Sequence, residues 1–175
     1  MSHPARTLRL LGEAEYRDEA EARLGAAGDA VLVVRGRQRS LVIACPDGCG
    51  ETLVVNLDRR AGKAWRIDMR GEGATLIPSV WREGGCGSHF IVWRGRIVWC
   101  ERFTQGNIEP GYDPSLEPRV LAAMDPAEPR TAETIAATID ELIWDVNRAA
   151  RRLADQGLVE TWKSAAGWLF ICKEP

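Results

Sequence analysis

The 175-residue chain is long enough for one ordinary domain plus a small module. Hydrophobic residues make up 45%, which supports a packed core and excludes wholesale disorder. A net charge of −2 argues against a dedicated nucleic-acid coat, and no apolar run reaches membrane-spanning length.

The first residues turn acidic at once and carry no apolar h-region, so a cytoplasmic protein without a secretory signal is expected. In that setting the five cysteines point to thiols or metal ligands rather than disulfides. Of the two histidines, His3 lies in the N-terminal tail, which leaves His89 as the interior imidazole.

In chain order, residues 6–11 suggest a short strand. Glu13–Leu24 is rich in helix formers and stops at Gly25, which predicts a surface helix. Strand signals then accumulate at Val31–Val34, Ser40–Cys45, Glu51–Leu57, Trp65–Met69 and Ala74–Ile77. His89–Trp93 and Arg96–Cys100 flank an Arg94-Gly95 turn and predict a hairpin. Strands joined by tight turns, without intervening helices, imply an antiparallel meander, sandwich or small barrel.

Five of the nine prolines fall between Thr104 and Pro129, and mark 104–128 as a linker with a short helix over Leu116–Met124. After it, Thr131 is a good N-cap and Asp140 a second one, for a helix from Glu141 to Gln156 closed by Gly157. Leu158–Lys163 and Trp168–Lys173 predict a hairpin turning at Ala165-Ala166-Gly167. This order resembles a winged helix-turn-helix, with Ile143–Gln156 as recognition helix and Lys163–Gly167 as wing. The fold class is thus α+β: an antiparallel β domain (1–103), a linker (104–128) and a winged-helix-like domain (129–175).

The candidate chemistry gathers at a few residues. Cys45-Pro-Asp-Gly-Cys49-Gly50 puts two thiols on one turn, and Cys86 and Cys100 bracket the later hairpin. Four thiolates could make a tetrahedral, zinc-ribbon-like site with a structural zinc ion. The first spacing is one residue longer than a common knuckle, and Cys86-Gly-Ser-His89 offers His89 as a different ligand. The plainer reading is that these cysteines are small core residues, as Cys172 in WLFIC is expected to be.

His89 has three readings: a satisfied buried histidine, a zinc ligand or a general base. Two serines favour the third. Ser88 adjoins it, and Ser79 lies ten residues earlier, within reach across a strand pair. A Ser–His pair with an orienting acid is the generic activated nucleophile. Glu51 and Glu101 are the nearest acids in the sequence. The tryptophans on strand patterns (Trp65, Trp93, Trp99) read as packing residues.

CPDGCGE, LIPSVW and CGSHFIVWRGRIVWC together resemble a bacterial domain-of-unknown-function family. Its pattern is a Cys-Pro-Cys-Gly-Cys-Gly turn, a Ser-Pro-Ser-Ile segment and a Cys-x-Ser-His-aromatic strand. The resemblance covers residues 40–101. Members occur beside ubiquitin-like conjugation genes and were first described as predicted metal-binding proteins, with a peptidase role toward the modifier. By motif, Cys45, Cys49 and Cys86 match the cysteines, Ser79 the second serine, and Ser88-His89 the Ser-His pair. The chain departs at Asp47, where the pattern has cysteine, and at Ile77, where it has serine.

The resemblance implies a serine-type peptidase that cleaves a ubiquitin-like modifier from a precursor or target, with Ser79 or Ser88 as nucleophile and His89 as base. Its partners would be the modifier and its conjugation enzymes. An alternative of another class is a non-catalytic, zinc-stabilised adaptor or ligase-like module of the same pathway. A third is a DNA-binding regulator acting through Arg148, Arg151 and Arg152. Six Lys/Arg face seven Asp/Glu in residues 129–175, a poor footprint for phosphate binding, so DNA is disfavoured against protein docking.

Overall fold

The structure is a computed structural model that describes residues 4–101, 107–165 and 167–173. His3, the linker residues Thr104 and Gly106, and Ala166 of the expected wing lie outside the described residues. The chain divides into two units, Met1–Pro110 and Gly111–Pro175.

The first unit is organised by a run that is apolar on both sides. Strand β2 (Asp29–Val34) follows β1 (Arg9–Ala14) and precedes β3 (Gln38–Ala44) and β4 (Thr52–Asn56), in one sheet ordered β1-β2-β3-β4. Ala30, Leu32, Leu41 and Ile43 point to one face, and Val31, Val33 and Val42 to the other, and all are buried. A strand covered on both faces needs no polar alternation, which accounts for the unbroken DAVLVV. The second face is covered by α1 (Arg17–Ala22) through Ala20, with Leu24 beside it.

The expected helix over Glu13–Leu24 is therefore shorter at its start. Residues 13 and 14 instead extend β1, which pairs parallel with β2 through Glu13–Leu32 and Ala14–Val33 after a bulge that includes Gly12. Gly12 has φ +119, a backbone state L side chains rarely adopt, so this kink requires glycine.

The first face of that sheet meets a second one, ordered β5-β6-β7-β8: Arg66–Asp68, Thr75–Trp81, His89–Trp93 and Arg96–Trp99. Leu32, Leu41, Ile43 and Val55 from one sheet, and Leu76, Val80, Phe90, Val92, Ile97 and Trp99 from the other, form a single core. The expected antiparallel β architecture is present as two such sheets, β1–β2 being the parallel exception.

In the second unit, α2 (Leu116–Ala122) falls inside the stretch expected as linker. Its Leu116 and Val120 are buried, and Glu117 accepts hydrogen bonds from Arg152 and Gln156 of α4 (Ile143–Asp155) and its C-cap. Between them lie β9 (Arg130–Thr131) and α3 (Ala132–Ile139), and after them the hairpin β10 (Val159–Ser164) and β11 (Gly167–Cys172). The sheet order is β10-β11-β9. Thr131 caps α3 as expected, accepting from the Thr134 amide at 3.2 Å. Asp140 does not cap α4. It ends α3 in the left-handed region, φ +53, which aspartate tolerates better than most residues, and Leu142 precedes α4. Among the described residues no helix is long and apolar enough to cross a membrane.

Candidate functional site

The period of two along β6 and β7 decides which side chains meet. Val80 and Phe90 pair across the ladder and are both buried in the core. Their neighbours must then take the other face of the sheet. Trp81 pairs with His89 there, and Ser79 lies two residues before Trp81 on the same strand. The result is a contact of 3.1 Å between Ser79 Oγ and His89 Nε2. Trp81 stacks beside the imidazole with ring centroids 5.6 Å apart and is itself 59% exposed.

The other ring nitrogen faces an acid. Among the described residues His89 Nδ1 is buried without a hydrogen-bond partner, and Glu101 Oε1 lies 3.5 Å from it, within ion-pair range. Catalytic hydrogen bonds are often long before substrate binds, so this distance suits an orienting acid. Glu51, the other acid nominated from sequence, pairs with Arg82 at 3.3 Å instead.

Ser88 has a different setting. Its side chain is fully buried, with Oγ 2.6 Å from Cys86 Sγ and 3.4 Å from Cys45 Sγ. It braces sulfur atoms rather than the imidazole. Cys45, Cys49 and Cys86 have all three sulfurs within 4.8 Å of one another, so these three could hold a metal ion. Cys100 is not part of this group: it follows β8, is exposed, and its amide donates to the His89 carbonyl at 3.0 Å.

The cysteine electrostatics follow from burial. The Cys45 thiol is pushed up to about 12 by burial, against hydrogen bonds from Ser88 and the Asp47 amide that act the other way. At Cys86 burial also pushes upward, but hydrogen bonds from the Ser88 side chain and amide and from the neighbouring thiols win, and hold it below the usual thiol value. Arg82 lies over the group, with Nη1 3.8 Å from Cys49 Sγ. Gly85, at φ +57, makes room for it: a Cβ there would sit 2.7 Å from the guanidinium.

Two contributors, Trp81 and Arg82, were not singled out from sequence, and a third, Trp65, was read only as a packing residue. Trp65 donates its indole N–H to the Ser79 carbonyl at 3.1 Å, Trp81 stacks on His89, and Arg82 covers the sulfurs. Trp81 carried a signal in its position two residues after Ser79, which an alternating strand puts on one face. Trp65 and Arg82 carried none, because their contacts depend on how distant loops close.

Comparison with known proteins now adds a family. Residues 16–100 match the family model described as bacterial ubiquitination-like system serine protease (BubE). The similarity lies within the β-rich unit and spans just under half of the chain. The match takes in Cys45, Cys49, Ser79, Cys86, Ser88 and His89 and leaves out the whole second unit. No curated protein and no solved structure matches the chain.

Proposed function

We propose that the chain is a serine peptidase of a bacterial ubiquitination-like system, which releases the modifier from a precursor or target, with Ser79 as nucleophile and His89 as general base. The observation that carries this reading is the 3.1 Å contact between Ser79 Oγ and His89 Nε2 on the outer face of the β6–β7 ladder. The family description supports the reaction class. Burial of Ser88 between two sulfurs favours Ser79 over it as the nucleophile in this reading.

Ser79 Oγ attacks the scissile carbonyl carbon as its proton passes to His89 Nε2. Glu101 faces Nδ1 and favours the imidazolium that forms. Nε2 then gives the proton to the departing amine, the carbon–nitrogen bond breaks, and an ester on Ser79 remains. Water, deprotonated by the same nitrogen, hydrolyses that ester.

Zinc is the metal that suits the cysteines. A tetrahedral thiolate site with bonds of about 2.3 Å separates its sulfurs by about 3.8 Å, and Cys45 and Cys86 are 3.7 Å apart. Cys45, Cys49 and Cys86 would hold it, and a bound zinc would tie the turn at 45–49 to the loop leading into β7. It supplies bracing, with no part in the proton transfers.

The second unit reads as a winged-helix module used for docking the modifier or a conjugation enzyme. Its arginines are occupied in ways that disfavour DNA. Arg148 and Arg152 stack on Tyr112 at 5.0 and 4.4 Å, and Arg151 on Trp168 at 4.4 Å.

The test is cleavage of a modifier fusion followed on a gel. Wild type and Ser88→Ala cut it, while Ser79→Ala and His89→Ala do not. No cleavage by wild type, or equal cleavage by Ser79→Ala, rejects the peptidase and leaves the non-catalytic adaptor.

A further inference from the structure

Strand β5 pairs with β6 only over Thr75–Ile77. Beyond Ile77 the edge of β6 carries no paired strand among the described residues; the Trp65 indole occupies that side at Ser79, and Trp81 lies past it.

Which backbone groups face the gap follows from the ladder. The His89 carbonyl accepts from the Cys100 amide, so the main-chain groups of His89 point toward β8. Trp81 and His89 are therefore the pair that does not exchange hydrogen bonds in β6–β7. The adjoining bond from the Arg82 amide to the Ser88 carbonyl, at 2.8 Å, agrees with this alternation. The N–H and C=O of Trp81 must then point away from β7, to the unpaired edge. The Ser79 carbonyl points the same way, since Trp65 Nε1 reaches it there.

We infer that Trp81 is the substrate-binding rung of this site: an extended stretch of the substrate next to the scissile bond adds to the edge of β6, exchanging two main-chain hydrogen bonds with Trp81. The inference rests on the peptidase reading with Ser79 as nucleophile. An acceptor and a donor side by side on a strand edge match one residue of an extended peptide. A peptide that presents its carbonyl to Ser79 Oγ, two residues away on the same strand, passes along this edge. The exposed Trp81 indole gives the flanking residue an apolar seat. Recognition is thus of extended backbone, so a folded loop or a helix is not cut.

The test uses the full chain with a coumarin-tagged peptide of the modifier's last residues, in which one backbone nitrogen at a time is methylated. Methylation at the residue facing Trp81 lowers kcat/KM by about tenfold or more, and methylation at the adjacent residues changes it little. In parallel, Trp81→Pro removes the amide that Trp81→Ala retains, while both lose the indole. Trp81→Pro cleaves the peptide about tenfold more slowly than Trp81→Ala, yet a small fluorophosphonate labels Ser79 at the same rate in both. An equal effect of methylation at every position, or equal cleavage by the two variants, overturns the edge rung and leaves the nucleophile standing. Failure of the fluorophosphonate to label wild-type Ser79 rejects the serine-peptidase reading itself, and the rung with it.

Discussion

Glu101 and Ser79 lie on opposite nitrogens of one imidazole: Glu101 Oε1 is 3.5 Å from His89 Nδ1, and Ser79 Oγ is 3.1 Å from Nε2. The carboxylate side chain is 76% exposed. At that separation in water a unit charge pair is worth only about 1 kcal/mol. Its help to the imidazolium is correspondingly small compared with a buried triad aspartate. Glu101→Gln is expected to lower kcat/KM about three- to tenfold, and the gap from wild type should close in about 0.5 M salt, where exposed pairs are screened. A loss of about a thousandfold or more, or a gap that ignores salt, would assign Glu101 a role these distances do not support.

Metal content separates the cysteines. Cys45, Cys49 and Cys86 share one cluster, whereas Cys100 stands outside it. Purified protein should carry about one zinc per chain, retained by Cys100→Ala and lost in Cys45→Ala or Cys86→Ala. A ligand held about a thousandfold above its dissociation constant stabilises by about 4 kcal/mol, so chelation should lower Tm by roughly 10 °C. Zinc retained by Cys86→Ala, or a Tm unmoved by chelation, would contradict the site.

Cys100 also illustrates what could be read from the chain and what could not. The β7–β8 hairpin was legible because it is local. Arg94 and Gly95 both have positive φ, the turn that two flanking alternating runs ask for. The Ser79–His89 contact was legible for a similar reason: a glycine-rich loop joins strands whose faces alternate, so few registers are open to them. Cys100 invited pairing with Cys86 on spacing alone. The ladder instead sets Cys100 against His89, while Cys86 has already left the strand line in the turn at residues 84–87. The parallel pairing of β1 with β2 was hidden, because it rests on a bulge and a packed helix between the two strands. At Asp140 the sequence offered two uses for one aspartate, an N-cap or a left-handed stop, and only the packing of α3 selects the second.

The thiols should also differ in reactivity once metal is removed. Burial pushes Cys45 up to about 12, while Cys49 is exposed. The thiolate is the nucleophile, so a thiol kept protonated is slow. In chelator-treated protein at about pH 8, iodoacetamide should modify Cys86, whose thiol is held below its usual value, and the exposed Cys49 well before Cys45, by roughly a hundredfold, as mapped by mass spectrometry of timed samples. Cys45 modified as fast as Cys49 would mean that its pocket opens when metal leaves.

A buried carboxylate at the start of β2 gives the fold its own pH dependence. Asp29 is 2% exposed; Arg9 donates to it at 2.7 and 2.6 Å, and the Gly25 and Ala26 amides at 3.0 and 2.8 Å. Burial alone would raise its pKa, but the two amides and the Arg9 guanidinium outweigh that and hold it below the ordinary carboxylate value. A carboxylate depressed in the folded state contributes stability that is complete above the unfolded value of about 4 and fades as pH falls through the folded one. Asp29→Asn removes the charge and is expected to cost about 1.5–3 kcal/mol at pH 7, the range for hydrogen bonds to a charged group. The urea midpoints of wild type and variant should therefore converge as pH drops from about 5 toward about 2. A constant difference across that range would mean that the loss comes from packing around the substituted side chain rather than from the missing charge.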